Sequence, residues 1–215
     1  MSDERLREAE RRWRETGSIE DEAELLRQRV RTGELPLAHV AAAARLDYPA
    51  AAMVLDNESA PSFEECLASM GKAAQIRFGL CLARAALPRW ESNHTDRRPR
   101  ECVLVVERWL SGAPGQERDL IRREARLLCT RLLNVANAAA ADAQNEEAIV
   151  FQFVVALLSL IWQDKRETRS GFMKVMTIAS GMPDGGRLTA AAAGEFVEWL
   201  LSYAHGSLVA EHRAW

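Results

Sequence analysis

Between Ile149 and Trp162 the chain is apolar almost without interruption, Gln152 and Ser159 being the only polar side chains in fourteen residues. A segment with no polar face has to be covered on every side, so it belongs at the centre of whatever the chain builds. A bilayer would also cover it, but a span needs about 20 residues and this run falls short. Its β-branched and aromatic content would suit a buried strand, yet its length favours a helix. The sequence therefore predicts a water-soluble bundle with residues 149–162 as its dry spine.

Around that spine, apolar positions recur at helical spacing. Leu6, Ala9 and Trp13 share one face of a first helix over 3–16, supported by the i,i+4 pairs Glu8 to Arg12 and Glu10 to Arg14. Gly17 stops it. Ser18, followed by Asp21 and Glu22, opens a second helix that carries Ala23, Leu26 and Val30 and closes at Gly33. Pro36 starts a short helix to Ala44, and Asp47-Tyr48-Pro49 turns into another ending near Leu55. Ser62 and Glu65 have the spacing of a capping box ahead of a long helix towards Leu87. Gly71 and Gly79 fall inside it at about 1 kcal/mol each relative to alanine, so either a neighbouring helix crosses closely there or the helix breaks at Gly71. Further helices are expected over 99–112, 116–142, 145–162, 169–180 and 188–204, with the Ala-rich stretch 136–143 in a tight helix contact.

These elements make an all-α fold, an orthogonal multi-helix bundle of about nine or ten helices around a buried central helix. A single domain over 1–215 is expected, with an N-terminal helical hairpin subregion at 1–57 and the main bundle at 62–205. No fixed period recurs, so a repeat array is not supported.

Acidic residues number 31 and basic residues 28, a net charge of −3 that carries no strong signal for nucleic acid or anionic lipid. Lys72, Lys165 and Lys174 are the only lysines, so arginine dominates the basic set. That is read as genome composition, with bidentate anion recognition as the competing reading. The opening Met1-Ser2-Asp3-Glu4-Arg5 has no apolar signal core, and a cytoplasmic location is expected. Cys66, Cys81, Cys102 and Cys129 are far apart, lack CxxC or His spacing, and read as reduced core thiols.

The segment from Pro88 to Arg98 has no period and is read as the most informative loop. Beyond it, Pro99 suits a first helical turn, which gathers Asp96, Arg97, Arg98 and Arg100 at one helix N-terminus. Guanidinium groups beside exposed amides make an anion-binding surface unless Asp96, Glu101 or a neighbouring helix neutralises them. Trp90 is either an interface anchor or a side chain buried under the loop. His94 with Asp96 has the composition of an acid–base pair, but no nucleophile lies nearby. The Gly181–Gly186 run lacks the Walker lysine and the GxGxxG pattern, and His205 with His212 makes no zinc site.

The stretch from Arg77 through Gly79, Cys81 and Arg84 to Pro88-Arg89-Trp90-Glu91, then Asp96-Arg97-Arg98-Pro99-Arg100 and Glu107-Arg108-Trp109-Leu110-Ser111-Gly112, resembles the immunity-protein-like helical domain of bacterial polymorphic toxin systems. The resemblance covers about residues 70–160. The segment from Arg5 to Leu55 is similar to helical modules attached to many bacterial proteins. Cys102-Val103-Leu104-Val105 stands where an alanine-rich run is expected of that family, and the last fifty residues lie outside the likeness. The resemblance implies a non-enzymatic cytoplasmic protein that binds and neutralises a toxin.

The expected function is accordingly a protein–protein interaction module, in its concrete form an immunity or antitoxin protein. Its partner-binding residues are Trp90, His94, Asp96, Arg97, Arg98 and Arg100, with no catalytic residue, metal or cofactor. The alternatives are a scaffold or regulatory subunit, or a small-ligand binder or enzyme using the 88–100 loop. An interaction module should present an exposed apolar patch with a charged rim, and an enzyme should gather titratable groups in a concavity.

Overall fold

The structure, a computed structural model, describes residues 2–55, 61–112, 114–140, 146–163, 165–182 and 185–202. Eleven helices and no strand are found among them. These are α1 (Ser2–Thr16), α2 (Ile19–Thr32), α3 (Leu37–Arg45), α4 (Pro49–Ala52), α5 (Phe63–Met70), α6 (Lys72–Asn93), α7 (Arg98–Leu110), α8 (Gly115–Ala140), α9 (Glu146–Ser159), α10 (Lys165–Ser180) and α11 (Gly185–Ser202). The fold is all-α. The Ala-rich contact expected at 136–143, the start at Asn145, and His205, His212 and the tail from Gly206 lie outside the described side chains.

The chain forms two compact units, one of Met1–Gly71 with Glu195–Trp215 and one of Lys72–Gly194. In the first, α1 and α2 make the hairpin that their sequence predicts. Ser18 caps α2 by accepting from the Asp21 amide at 3.1 Å, and Gly33 closes it in the left-handed region at φ 77°. Leu6, Ala9 and Leu25 bury between the two helices with Trp13 over them. α3 packs on α4 and α5. His39 of α3 is buried, with Nδ1 3.3 Å from the Leu200 carbonyl and its ring stacked on Trp199.

The capping box at Ser62 and Glu65 forms as expected, but the long helix that it opens does not. Gly71 takes φ +86° and splits it into α5 and α6, which adds a helix and brings the described residues to eleven where about nine or ten are expected. Gly79 realises the other possibility. A Cβ placed there would lie 2.7 Å from Leu157 Cδ1, so its missing side chain lets α6 and α9 approach closely.

In the second unit α9 is the spine. It packs against α6, α7, α8 and α10, and Phe151, Phe153, Leu157, Leu158, Leu160 and Ile161 are buried while Gln152 is exposed. Past Ser159 the chain turns, its amides bonding back to the carbonyls of Leu157, Leu158 and Ser159, and Lys72 Nζ at the start of α6 donates to the carbonyls of Ile161 at 2.9 Å and Gln163 at 2.7 Å within that turn.

Several boundaries differ from the sequence reading: α4 stops at Ala52 short of Leu55, α9 at Ser159 short of Trp162, and α11 begins at Gly185 ahead of Leu188. α10 begins at Lys165, within the stretch expected to be a polar connection, and it buries Thr168. More consequentially, Pro88 to Arg98 is not an eleven-residue loop, because α6 continues through Pro88 to Asn93. An internal proline costs about 3 kcal/mol through a lost amide and a ring clash. Covering an indole removes roughly 150–250 Å², worth about 4–6 kcal/mol, so the burial of Trp90 outweighs the proline.

Candidate functional site

The extension of α6 turns the expected loop into a four-residue turn, and Trp90 organises that turn. Its indole is only 3% exposed. The Nε1–H donates to the Asp96 carbonyl at 3.0 Å, the ring stacks on His94 at 3.9 Å between centroids, and its edge meets Phe151 of α9 at 5.5 Å. The competing reading of Trp90 as a side chain covered by the turn is therefore the one the geometry adopts. His94 is half-buried against it, as a stacking partner.

The arginines of this cluster are largely matched by acids. Asp96 accepts from the Arg98 amide at 2.9 Å and from Arg98 Nε at 2.8 and 3.0 Å, with a further short bond from Nη2. These bonds from Arg98 hold the Asp96 carboxyl below the usual aspartate range, against a smaller opposing effect of burial. The Arg98 guanidinium also sits 5.1 Å over the Phe151 ring. Arg100 pairs with Glu91, and the bond lowers the pKa of Glu91. Arg97 is exposed at the N-cap of α7. The six predicted residues thus do come together, as a turn whose arginines spend much of their hydrogen-bonding capacity on their own acids. The cavity beside Trp90, lined by Ala86, Arg89, Ile149, Val150, Met182 and Leu188, measures about 20 Å³, room for roughly one water molecule.

A second region, which the sequence reading did not single out, has the opposite balance. On α8, Arg122, Arg123 and Arg126 are exposed and, with the one acid Asp119, line an open groove of about 440 Å³ together with Trp162 from the turn after α9. Arg126 stands 5.9 Å over the Trp162 ring, and Arg122 reaches Asp119 at 3.3 Å. The i, i+3, i+4, i+7 spacing of Asp119, Arg122, Arg123 and Arg126 puts all four on one side of the helix. Along the neighbouring stripe, Leu120 and Leu127 are each 61% exposed, and Leu104 on α7 is 50% exposed. An ion pair between Arg108 of α7 and Glu124 of α8 ties these stripes together. The helical spacing was visible in the sequence, but which side of α8 faces solvent was not.

The cysteines are reduced, with Cys66, Cys81 and Cys102 buried and Cys129 partly so. Burial above all pushes the Cys102 thiol up to about 12, far from a nucleophile's range. Among the described residues no group of three or more His, Cys, Asp or Glu could hold a metal ion, and no helix is long and apolar enough to cross a membrane. No protein-family model matches the chain, and neither a curated protein nor a solved structure matches it.

Proposed function

We propose that this protein is a binding module for another protein, and that its concrete role is that of an immunity protein which engages and neutralises a toxin. The supporting observation is the surface of α7 and α8. Leu104, Leu120 and Leu127 stand half or more exposed on helices that also expose Arg108, Arg123 and Arg131, with Arg108 paired to the half-buried Glu124. Exposed leucines in a charged rim suit a protein interface, where apolar side chains dehydrate at the centre and charges set register at the edge. The immunity role rests on the resemblance carried by residues 77–112.

In this reading the Trp90 turn braces the start of α7, and Arg97, Arg98 and Arg100 form the edge of the partner surface. The test is co-expression with a toxin encoded beside the gene. Rescue of growth and co-purification are expected, and Leu120→Asp with Leu127→Asp should abolish both. Absence of rescue and of co-purification would overturn the immunity role. A measured turnover abolished by His94→Ala would overturn the non-enzymatic reading as a whole.

A further inference from the structure

We infer that the partner segment docking on α8 is an acidic amphipathic helix, with its carboxylates on Arg122, Arg123 and Arg126 and its apolar side chains on Leu120 and Leu127. This rests on the protein-binding reading and names the chemistry of the partner.

Three observations select that occupant. The groove holds three guanidinium groups against the one carboxylate of Asp119, so it is left with an excess of positive charge on a protein whose net charge is −3. A guanidinium fork matches a carboxylate with two parallel hydrogen bonds, which a docked Glu or Asp supplies. The leucines lie seven residues apart, two turns along the same stripe, and a docked helix repeats its apolar side chains at that interval. Arg123 falls between that stripe and the groove, so both contacts belong to one continuous face.

Trp162 forms the wall of the groove with Arg126 over its ring. Such a wall is apolar in body and cationic at its lip, which suits the methylenes and the carboxylate of a glutamate together. Nucleic acid fits less well. Its phosphates gain nothing from Leu120 and Leu127, whose exposed side chains would stay uncovered. A second copy of the chain would bring these same arginines towards each other unless it docked in reverse.

The experiment uses the full chain and a displayed library of random sixteen-residue peptides. Selection on the wild type should enrich peptides rich in Asp and Glu with Leu, Ile or Phe at helical spacing. Synthetic copies should bind at least tenfold more weakly to Arg122→Glu/Arg123→Glu/Arg126→Glu, and also to Leu120→Ala/Leu127→Ala, whose circular dichroism and melting verify that they fold. Binding should weaken as sodium chloride rises from 0.05 to 0.5 M, roughly the range over which surface charges become screened. Enriched peptides that lack acids, or that bind the charge-reversed chain undiminished, would sink this site while leaving the protein-binding reading intact. No enrichment, together with a shift of a double-stranded DNA oligonucleotide, would sink both. A dimer in sedimentation that Leu120→Ala/Leu127→Ala dissociates would assign the face to a second copy and overturn the proposal.

Discussion

The Lys72 ammonium donates to the Ile161 carbonyl at 2.9 Å, so the first residue of α6 holds the turn that follows the spine helix α9. The same ammonium reaches the Gln163 carbonyl and lies 5.7 Å over the Trp109 ring. Charge-assisted bonds of this kind contribute about 1.5–3 kcal/mol, and orphan carbonyls left in a half-buried place cost more than exposed ones. Lys72→Met should therefore lower stability by about 2 kcal/mol, read as a drop in the urea midpoint. An unchanged midpoint would show that water replaces the ammonium at no cost.

Two helical glycines should respond oppositely to alanine. At Gly79 a methyl would sit 2.7 Å from Leu157 Cδ1, and because Leu157 is itself buried its side chain has little room to retreat. Overpacking costs typically about 1–3 kcal/mol and exceeds the gain in helix propensity. Gly194 in α11 has nothing within 4 Å of the corresponding position. Gly194→Ala should stabilise by about 1 kcal/mol. Thermal melting of the pair checks both signs, and a stabilised Gly79→Ala would mean that α6 and α9 are not held at this separation.

Cys102 makes stability depend on alkaline pH. Its folded thiol titrates at about 12 because burial disfavours the thiolate, whereas an exposed thiol titrates near 9. The unfolded chain then binds fewer protons than the folded chain between those values, so stability is intact below about pH 9 and falls as pH rises towards 12. The slope is about 1.4 kcal/mol per pH unit for this group. Tyr48, whose pKa is raised by burial and by its bond to Glu22, adds in the same direction. Urea titrations at pH 8, 9.5 and 10.5 should show the decline, and Cys102→Ala should flatten part of it. Equal slopes in the two chains would contradict the burial of this thiol.

Asp96 acts at the other end of the pH scale. Its carboxylate is favoured by the bonds from Arg98, so its contribution is complete above the ordinary aspartate pKa near 4 and is lost as pH falls through the lowered folded value. Asp96→Ala removes those bonds together with the acceptor for the Arg98 amide and should cost about 1 kcal/mol, as helix-capping losses do. The Trp90 indole proton, which bonds the Asp96 backbone rather than its side chain, should keep its slowed exchange in hydrogen-exchange NMR. Rapid exchange in the variant would mean that the ion pair, not the indole, holds the turn.

How much of this was legible beforehand depended on the distance over which each decision is made. Ser18, Gly33 and the Ser62–Glu65 box act within three or four residues of their partners, and they were readable as helix ends. The pairing of Asp96 with Arg98 spans two residues, and it too could be anticipated as internal neutralisation. Pro88 misled because its local penalty is real but smaller than the covering of Trp90 by Phe151, a contact between α6 and α9. The α8 groove is not legible in the sequence because Trp162 reaches it from the turn after α9, a distant part of the chain.

By itself the sequence determined that the chain is helical and that most of the stretch from Phe151 to Ile161 lies inside, since helix periodicity, caps and an all-apolar stretch are properties of neighbours along the chain. Only the tertiary structure decided which arginines meet their own acids and which line open space. Arg98 and Arg100 of α7 pair with Asp96 and Glu91, while Arg123 and Arg126, beside Arg122 on its own Asp119, line the groove because the opposite side of α8, with Ile121, Ala125 and Leu132, is the side that buries. Burial is a property of assembled surfaces, and a charge becomes available to a partner only once packing has chosen the face that stays wet.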